Sequence, residues 1–132
     1  MKIKALDRVI VIVMLVAIIA SFALVASATS YTSTLALARG EYFTGSFRKY
    51  ECPNNEINIH FVGSGSAGNN YQNIVELVER ILLVFDSTHG YRYVGTDVNE
   101  TWTDCGSGKY AFCFANHGTT LWESDAVYMR SN

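Results

Sequence analysis

The stretch that decides the fold class covers residues 74–85, Ile74-Val-Glu-Leu-Val-Glu-Arg-Ile-Leu-Leu-Val-Phe85. Its large apolar residues recur at three- and four-residue steps, the spacing that places side chains on one face of a helix. Asn69 or Asn70 can cap the first turn, and Gly90 can occupy the C′ position after the last turn. The pattern predicts one main helix with an apolar face made of Ile74, Leu77, Val78, Ile81, Leu82 and Phe85.

Strand patterns surround this segment. In residues 56–62, Ile57, Ile59 and Phe61 alternate with polar residues, which is the period of a half-buried strand. Residues 41–50 and 109–116 alternate too, and shorter strands are predicted at 91–94, from 101 and around 121. We therefore expect an α+β fold, an antiparallel sheet of four or five strands with one main helix packed on one face, preceded by a hydrophobic N-terminal segment.

The N-terminal segment has the organisation of a leader. Lys2, Lys4 and Arg8 precede a charge-free run at 9–26, which ends in the small residues Ala26-Ser27-Ala28. A positive region, an apolar region and an A-x-A site are the three parts of a secretory signal peptide. We predict cleavage before Thr29 and secretion of the mature chain.

The length of the apolar run leaves an alternative open. It holds 18 residues, against roughly 7 to 15 for the apolar region of a signal peptide. If it is retained, residues 1–28 are either an N-terminal membrane anchor, with the domain on the outside of the cell, or a helix packed inside a pilin-like filament. In either case residues 29–132 form a single small domain. We expect the chain to contact a membrane only through residues 1–28, if they are not cleaved.

Composition and charge exclude several classes of protein. The chain has 132 residues, 49% hydrophobic and 17% charged, which is typical of one globular domain and not of a disordered chain. Ten basic residues against twelve acidic ones, with no basic cluster, lack the positive surface that a phosphate backbone requires. Nucleic acid is therefore not expected as a partner.

A glycine-rich segment, Gly63-Ser-Gly-Ser-Ala-Gly68, matches the phosphate-binding pattern G-x-G-x-x-G between a predicted strand and the predicted helix. A dinucleotide fold also needs an acidic residue at the end of a second parallel strand about 20 residues on, whereas Asp86 would end the helix itself. We interpret the segment as a flexible turn and predict no cofactor.

The cysteines, Cys52, Cys105 and Cys113, all lie in the part predicted to be exported, where disulfides are the default. Their number is odd, so Cys105 with Cys113, Cys52 with either of them, and an intermolecular bond all stay open. A zinc site built from Cys105, Cys113 and His117 lacks the usual paired spacing, and no metal is predicted.

No catalytic motif stands out. The three histidines have ordinary roles, and neither a G-x-S-x-G elbow nor a cysteine-protease motif is present, so no enzyme is predicted. Asn99-Glu-Thr101 is a glycosylation sequon in a predicted turn, which makes Asn99 a candidate glycan acceptor. The domain is also rich in aromatic residues, and any that are exposed would form a binding face for a protein or a sugar.

The order of motifs resembles the small secreted killer toxins of smut fungi and the related necrosis-inducing effectors of plant-pathogenic fungi. In those families one long helix is followed by cysteine, glycine and a Cys-Ala-Phe-like strand. The similar residues here are Gly63 to Gly65, Ile81, Tyr93, Cys105, Ala111, Phe112, Asn116 and Gly118.

The resemblance implies an α/β sandwich and a toxin-like function, and no functional residue is carried over from it. We expect a secreted, non-enzymatic, toxin- or effector-like protein that binds a protein or glycan on a target cell surface. Self-association is possible through an odd cysteine or an unpaired strand edge. The alternative is a membrane-anchored or pilin-like structural subunit.

Overall fold

The computed structural model describes residues 27–65, 72–83 and 85–132. Within those ranges the regular secondary structure consists of β-strands alone. The strands are β1 (Ser30–Leu37), β2 (Tyr42–Thr44), β3 (Arg48–Tyr50), β4 (Ile57–Phe61), β5 (Ser64–Gly65), β6 (Asn73–Leu82), β7 (Phe85–Val94), β8 (Val98–Trp102), β9 (Gly108–Ala115) and β10 (Trp122–Ser131). The described residues include no helix that could cross a membrane, and the apolar run at 9–26 lies outside them.

The strands form two antiparallel sheets. The first has the order β1-β10-β4-β8, with β5 also paired to β10, and the second has the order β2-β9-β6-β7, with β3 also paired to β9. Aromatic side chains from both sheets meet between them, since the ring of Phe114 lies 6.4 Å from that of Phe61 and 6.2 Å from that of Trp122. The protein is a β-sandwich, so the expected α+β fold with one main helix is wrong.

The predicted helix is replaced by a hairpin of β6 and β7. On β6, Asn73, Val75 and Leu77 are buried between the sheets, and the residues between them point to the outer face. Val75 lies opposite Phe114 and Leu77 opposite Phe112, so β9 supplies the aromatic neighbours that bury them. A segment with adjacent apolar residues satisfies both the helical and the strand period, and the partner strand decides between them.

Gly90 also differs from its predicted role as a helix C′ residue. It lies within β7 with a φ of +98°, a conformation that favours glycine. There the pairing changes from Glu76 opposite Tyr91 to Val78 opposite Thr88, which inserts one extra residue into β7. Gly90 therefore permits a β-bulge in the hairpin.

Two buried tryptophans fix the packing of the sandwich. The indole N–H of Trp102 donates to the carbonyl of Gly90 at 3.0 Å, and that of Trp122 donates to the carbonyl of Thr96 at 3.0 Å. Because each buried donor has an acceptor, both large rings occupy the core without an unpaired polar group.

The chain enters and leaves the sandwich at one end, which we call the Ser30 end because Ser30 pairs there with Arg130. The two sheets are joined at this end by the hydroxyl of Tyr31, which donates to the carbonyl of Lys49 at 2.6 Å. In the second sheet, Lys49 pairs with Lys109 and Lys109 pairs with Arg80. The Ser30 end therefore also holds the last part of β6.

The opposite end is called the Leu37 end. Leu37 pairs there with Trp122, and the Leu37 carbonyl accepts a hydrogen bond from the side-chain amide of Asn116 at 2.8 Å. Asn116 directly follows β9, so the Leu37 end also holds the last residues of that strand.

Candidate binding groove on the outer face of the second sheet

The cysteines do not form the expected disulfide. Cys52, Cys105 and Cys113 are all free and buried. Cys105 lies in the turn before β9, where its N–H donates to the carbonyl of Asn55 at 2.9 Å, whereas Cys113 is paired with Thr44 in the middle of the sheet. The length of a strand thus separates the two cysteines that bracket the Gly-Ser-Gly turn. Cys52 is not bonded to either of them, so the predicted disulfide is wrong for all three pairs.

Burial also makes two of the thiols poor nucleophiles. It raises the pKa of Cys105 from 9.0 to about 11, and it raises the pKa of Cys52 as well. The thiolate is the reactive form of cysteine, so both groups are protonated and unreactive at neutral pH. Among the described residues, no group of three or more histidine, cysteine, aspartate or glutamate side chains is placed to hold a metal ion.

The glycine-rich segment serves the packing of β5 against its neighbours. A side chain at Gly63 would overlap the carbonyl oxygen of Thr96, and one at Gly65, whose φ is +76°, would overlap that of Leu121. The Gly63 N–H already donates to the Asp97 carboxylate at 3.0 Å. The next described element is β6, so the helix N-terminus that a pyrophosphate needs does not follow; Gly68 lies outside the described residues.

His89 takes part in a polar cluster at the Ser30 end. Its Nε2 lies 2.7 Å from Oε2 of Glu79, and its ring lies 5.4 Å from that of Tyr110. The Tyr110 hydroxyl donates to the carbonyl of Gly106 at 2.6 Å, and burial raises its pKa. These contacts connect β6, β7 and β9 at the Ser30 end.

His60 and Asn99 lie on the outer face of the first sheet. The ring of His60 stacks on that of Tyr128 at 6.4 Å. Asn99 lies exposed on β8, an edge strand, and not in the expected turn; its Oδ1 accepts a hydrogen bond from the amide of Asn58 at 3.1 Å. Its glycosylation stays a prediction.

The feature that best fits a binding site is a groove on the outer face of the second sheet. The strand register places two rows of side chains across this face, one of Tyr42, Ala115, Ile74 and Tyr93, the other of Thr44, Cys113, Glu76 and Tyr91. In each row the small residue on β9 lies between larger ones on the outer strands. The result is a shallow cavity of about 250 Å³, which we call the tyrosine groove.

The walls of the tyrosine groove are aromatic and accessible. Tyr42, Tyr91 and Tyr93 are each more than half exposed, whereas Cys113 and Ala115 on the floor are buried. The rings of Tyr91 and Tyr93 meet edge to face, 5.4 Å apart at 88°, and so hold each other in place. All three tyrosines are accordingly accessible to a ligand on the outer face of the sheet.

Polar groups complete the groove. Glu76 lies beside the floor, and His117 is at the Leu37 end of the cavity. The Tyr42 hydroxyl is hydrogen-bonded to Cys113, and this bond raises the pKa of Tyr42 above its ordinary value. The groove therefore offers aromatic faces together with a carboxylate, an imidazole and hydroxyl groups.

The position of two tyrosines of this site could be predicted in part from the sequence. The i, i+2 spacing of Tyr91 and Tyr93 puts both on one face of a strand, but only the bulge and the pairing with β6 determine which face it is. On the predicted helix Glu76 would lie outside the apolar face, and its place beside Cys113 depends on the pairing of β6 with β9.

No protein family model and no curated protein matches this chain in sequence. The resemblance to killer toxins and effectors rests on the order of short motifs alone. The α/β sandwich that it implied is wrong, since the segment corresponding to the long helix is strand β6.

Proposed function

We propose that this chain is a secreted, non-enzymatic binding protein that recognises a glycan on a cell surface through the tyrosine groove. The observation that carries the proposal is the set of three exposed tyrosines around a floor of small residues. This arrangement supports the expected surface binding, and it does not depend on the resemblance to toxins.

A sugar fits this groove better than a protein surface does. The C–H groups of a pyranose ring pack on the face of an aromatic ring, and its hydroxyl groups hydrogen-bond to carboxylate and imidazole. Glu76 and His117 supply such groups beside Tyr93 and Tyr42. The tyrosine groove is lined by eight residues, whereas a specific protein interface involves about 20 to 30 residues on each partner.

Binding is favoured over hydrolysis. Most glycoside hydrolases use two carboxyl groups placed on either side of the scissile bond. Among the described residues that line the groove, Glu76 is the single carboxylate. The groove thus has the aromatic part of a sugar site without the paired acids of the reaction.

Two variants with a matched control test the proposal. Tyr42→Ala and Tyr93→Ala each remove one wall, while Tyr128→Ala removes a tyrosine of similar exposure from the outer face of the other sheet. On a glycan array, we expect the unsubstituted chain to bind a subset of glycans. We expect the two groove variants to bind them at least about tenfold more weakly, about 1.4 kcal/mol, and Tyr128→Ala to bind normally.

Two results would contradict the proposal. One is an array on which no glycan is bound, or on which Tyr93→Ala binds like the unsubstituted chain. The other is binding to intact cells that survives periodate oxidation of the surface sugars but is lost after protease treatment, since that result indicates a protein target.

A further inference from the structure

The tip of the β6–β7 hairpin exposes a cluster of large apolar side chains. Leu83 is 96% exposed, and Ile81, Leu82 and Phe85 are each more than half exposed. We call these four residues the hairpin tip. Isolated apolar residues are common on protein surfaces, but a contiguous group of this kind indicates an interaction site.

The tip projects beyond the body of the sandwich. The pairing of β6 with β9 ends where Arg80 lies opposite Lys109, and beyond this point β6 pairs only with β7, where Leu82 lies opposite Phe85. No strand of either sheet covers the tip within the described ranges.

The tip lies at the Ser30 end, where the N-terminal segment joins the domain. The hydroxyl of Thr29 accepts a hydrogen bond from the N–H of Glu51 at 3.0 Å, and Glu51 follows β3 directly. From β3 the sheet continues through Lys109 to Arg80, the last residue before the tip. Because only three described residues, 27–29, precede β1, the apolar run at 9–26 is attached close to this same end.

A row of basic side chains crosses the sheet at the base of the tip. The register aligns Lys49, Lys109 and Arg80 on neighbouring strands. Glu51 lies 3.1 Å from Lys49, and Asp86 lies 3.2 Å from Arg80, so the row keeps a small positive excess. A positive row behind an apolar tip matches the order of anionic headgroups and hydrocarbon at a membrane surface.

We propose that the hairpin tip inserts into a lipid bilayer, so that the Ser30 end of the sandwich rests on the membrane. Leu83 and its three neighbours enter the boundary between headgroups and acyl chains. Lys49, Lys109 and Arg80 lie at the level of the phosphates. This contact is separate from the tyrosine groove and does not require glycan binding.

A bilayer explains the tip better than a second copy of the chain. A protein partner needs a surface that is complementary to the exposed side chains of the tip, whereas lipid adapts to them. The row of Lys49, Lys109 and Arg80 at the base of the tip also complements the anionic headgroups of a bilayer. If the run at 9–26 is retained, its attachment before residue 27 holds the same end of the domain at the membrane.

Tryptophan fluorescence in lipid vesicles tests the insertion. The full chain is reconstituted in vesicles of equal parts phosphatidylcholine and phosphatidylglycerol, with or without bromine on the acyl chains. Leu83→Trp places a probe at the tip, and Phe85→Trp is a second probe. Val62→Trp is the control, because Val62 is 71% exposed and lies at the Leu37 end. Trp102 and Trp122 are buried in every variant and give a constant background.

We expect brominated lipid to remove about half or more of the emission added at Leu83→Trp and Phe85→Trp, and none of that added at Val62→Trp. Equal emission with and without bromine at both tip positions would overturn the proposal. So would equal quenching at the tip and at Val62→Trp, since the domain would then have no preferred orientation. A blue-shifted but unquenched tip signal would place protein, not lipid, on the tip.

Discussion

The burial of one side chain, Cys105, makes the stability of the domain depend on pH in the alkaline range. Its thiol has no exposed surface, and its contacts with the carbonyls of Trp102 at 3.7 Å and Thr103 at 3.6 Å are weak. Burial disfavours the thiolate and raises the pKa of Cys105 from 9.0 to about 11. The folded protein therefore keeps this proton over a range in which the unfolded chain loses it.

The sign of the effect on stability follows from proton binding. Between pH about 9 and about 11 the folded state binds more protons than the unfolded state, so the free energy of unfolding falls as pH rises. We expect Cys105 to contribute a loss of about 2 to 3 kcal/mol across this window. Urea unfolding at several pH values should show this slope in the unsubstituted chain and a flatter one in Cys105→Ser. If the free energy of unfolding fell equally steeply with pH in both proteins, the assignment of this effect to Cys105 would be wrong.

At the scale of elements, β6 is the segment whose secondary structure could not be predicted from its own sequence. The strand at 57–61 was predicted correctly because Ile57, Ile59 and Phe61 alternate cleanly with polar residues. In β6, apolar residues occupy both alternate and helical positions, and the segment has no clear local preference. Its structure is determined by Phe112 and Phe114 of β9, which are distant in sequence.

Two substitutions in β6 distinguish a strand from a helix. A helix with the predicted apolar face would bury Ile81 and leave Val75 outside that face, whereas the strand buries Val75 completely and leaves Ile81 more than half exposed. We expect Val75→Ala to lower the free energy of unfolding by about 2 kcal/mol and Ile81→Ala to change it by less than about 0.5 kcal/mol. Chemical denaturation of the two variants measures both values. The reverse order of the two losses would support the helix.

The candidate site was predictable only in its composition. The surplus of aromatic residues indicated a binding face, but the sequence does not say that Tyr42 and Tyr93 lie in one row across four strands. The same holds for Cys105 and Cys113, whose closeness in sequence favoured a disulfide that the length of β9 prevents. Both outcomes depend on long-range pairing.

For the whole molecule, the two proposed surfaces lie toward opposite ends of the sandwich. The hairpin tip is at the Ser30 end, while the tyrosine groove includes Ala115 and His117 near the Leu37 end. With the Ser30 end on a membrane, the groove would open on the side of the sandwich, toward the end farther from the lipid. This orientation suits recognition of glycans outside the lipid surface.

At the scale of the whole chain, cleavage of the N-terminal segment stays a prediction. The N–H of Thr29 donates to the hydroxyl of Ser131 at 2.8 Å, and cleavage before Thr29 would leave an ammonium group at the same place. We expect mass spectrometry of the culture medium to find a mature chain that starts at Thr29. A chain that starts at Met1 and stays in the membrane fraction would instead support the anchored alternative.

The in-register pairing of Ser30 with Arg130 determines how the domain responds to mechanical tension. A pull between Thr29 and Ser131 acts on the adjacent ends of two antiparallel strands. It therefore opens the hydrogen bonds between β1 and β10 one after another, like a zipper, whereas a pull from opposite ends would load them all at once in shear. In single-molecule pulling, the domain should unfold at low force when held by these two residues.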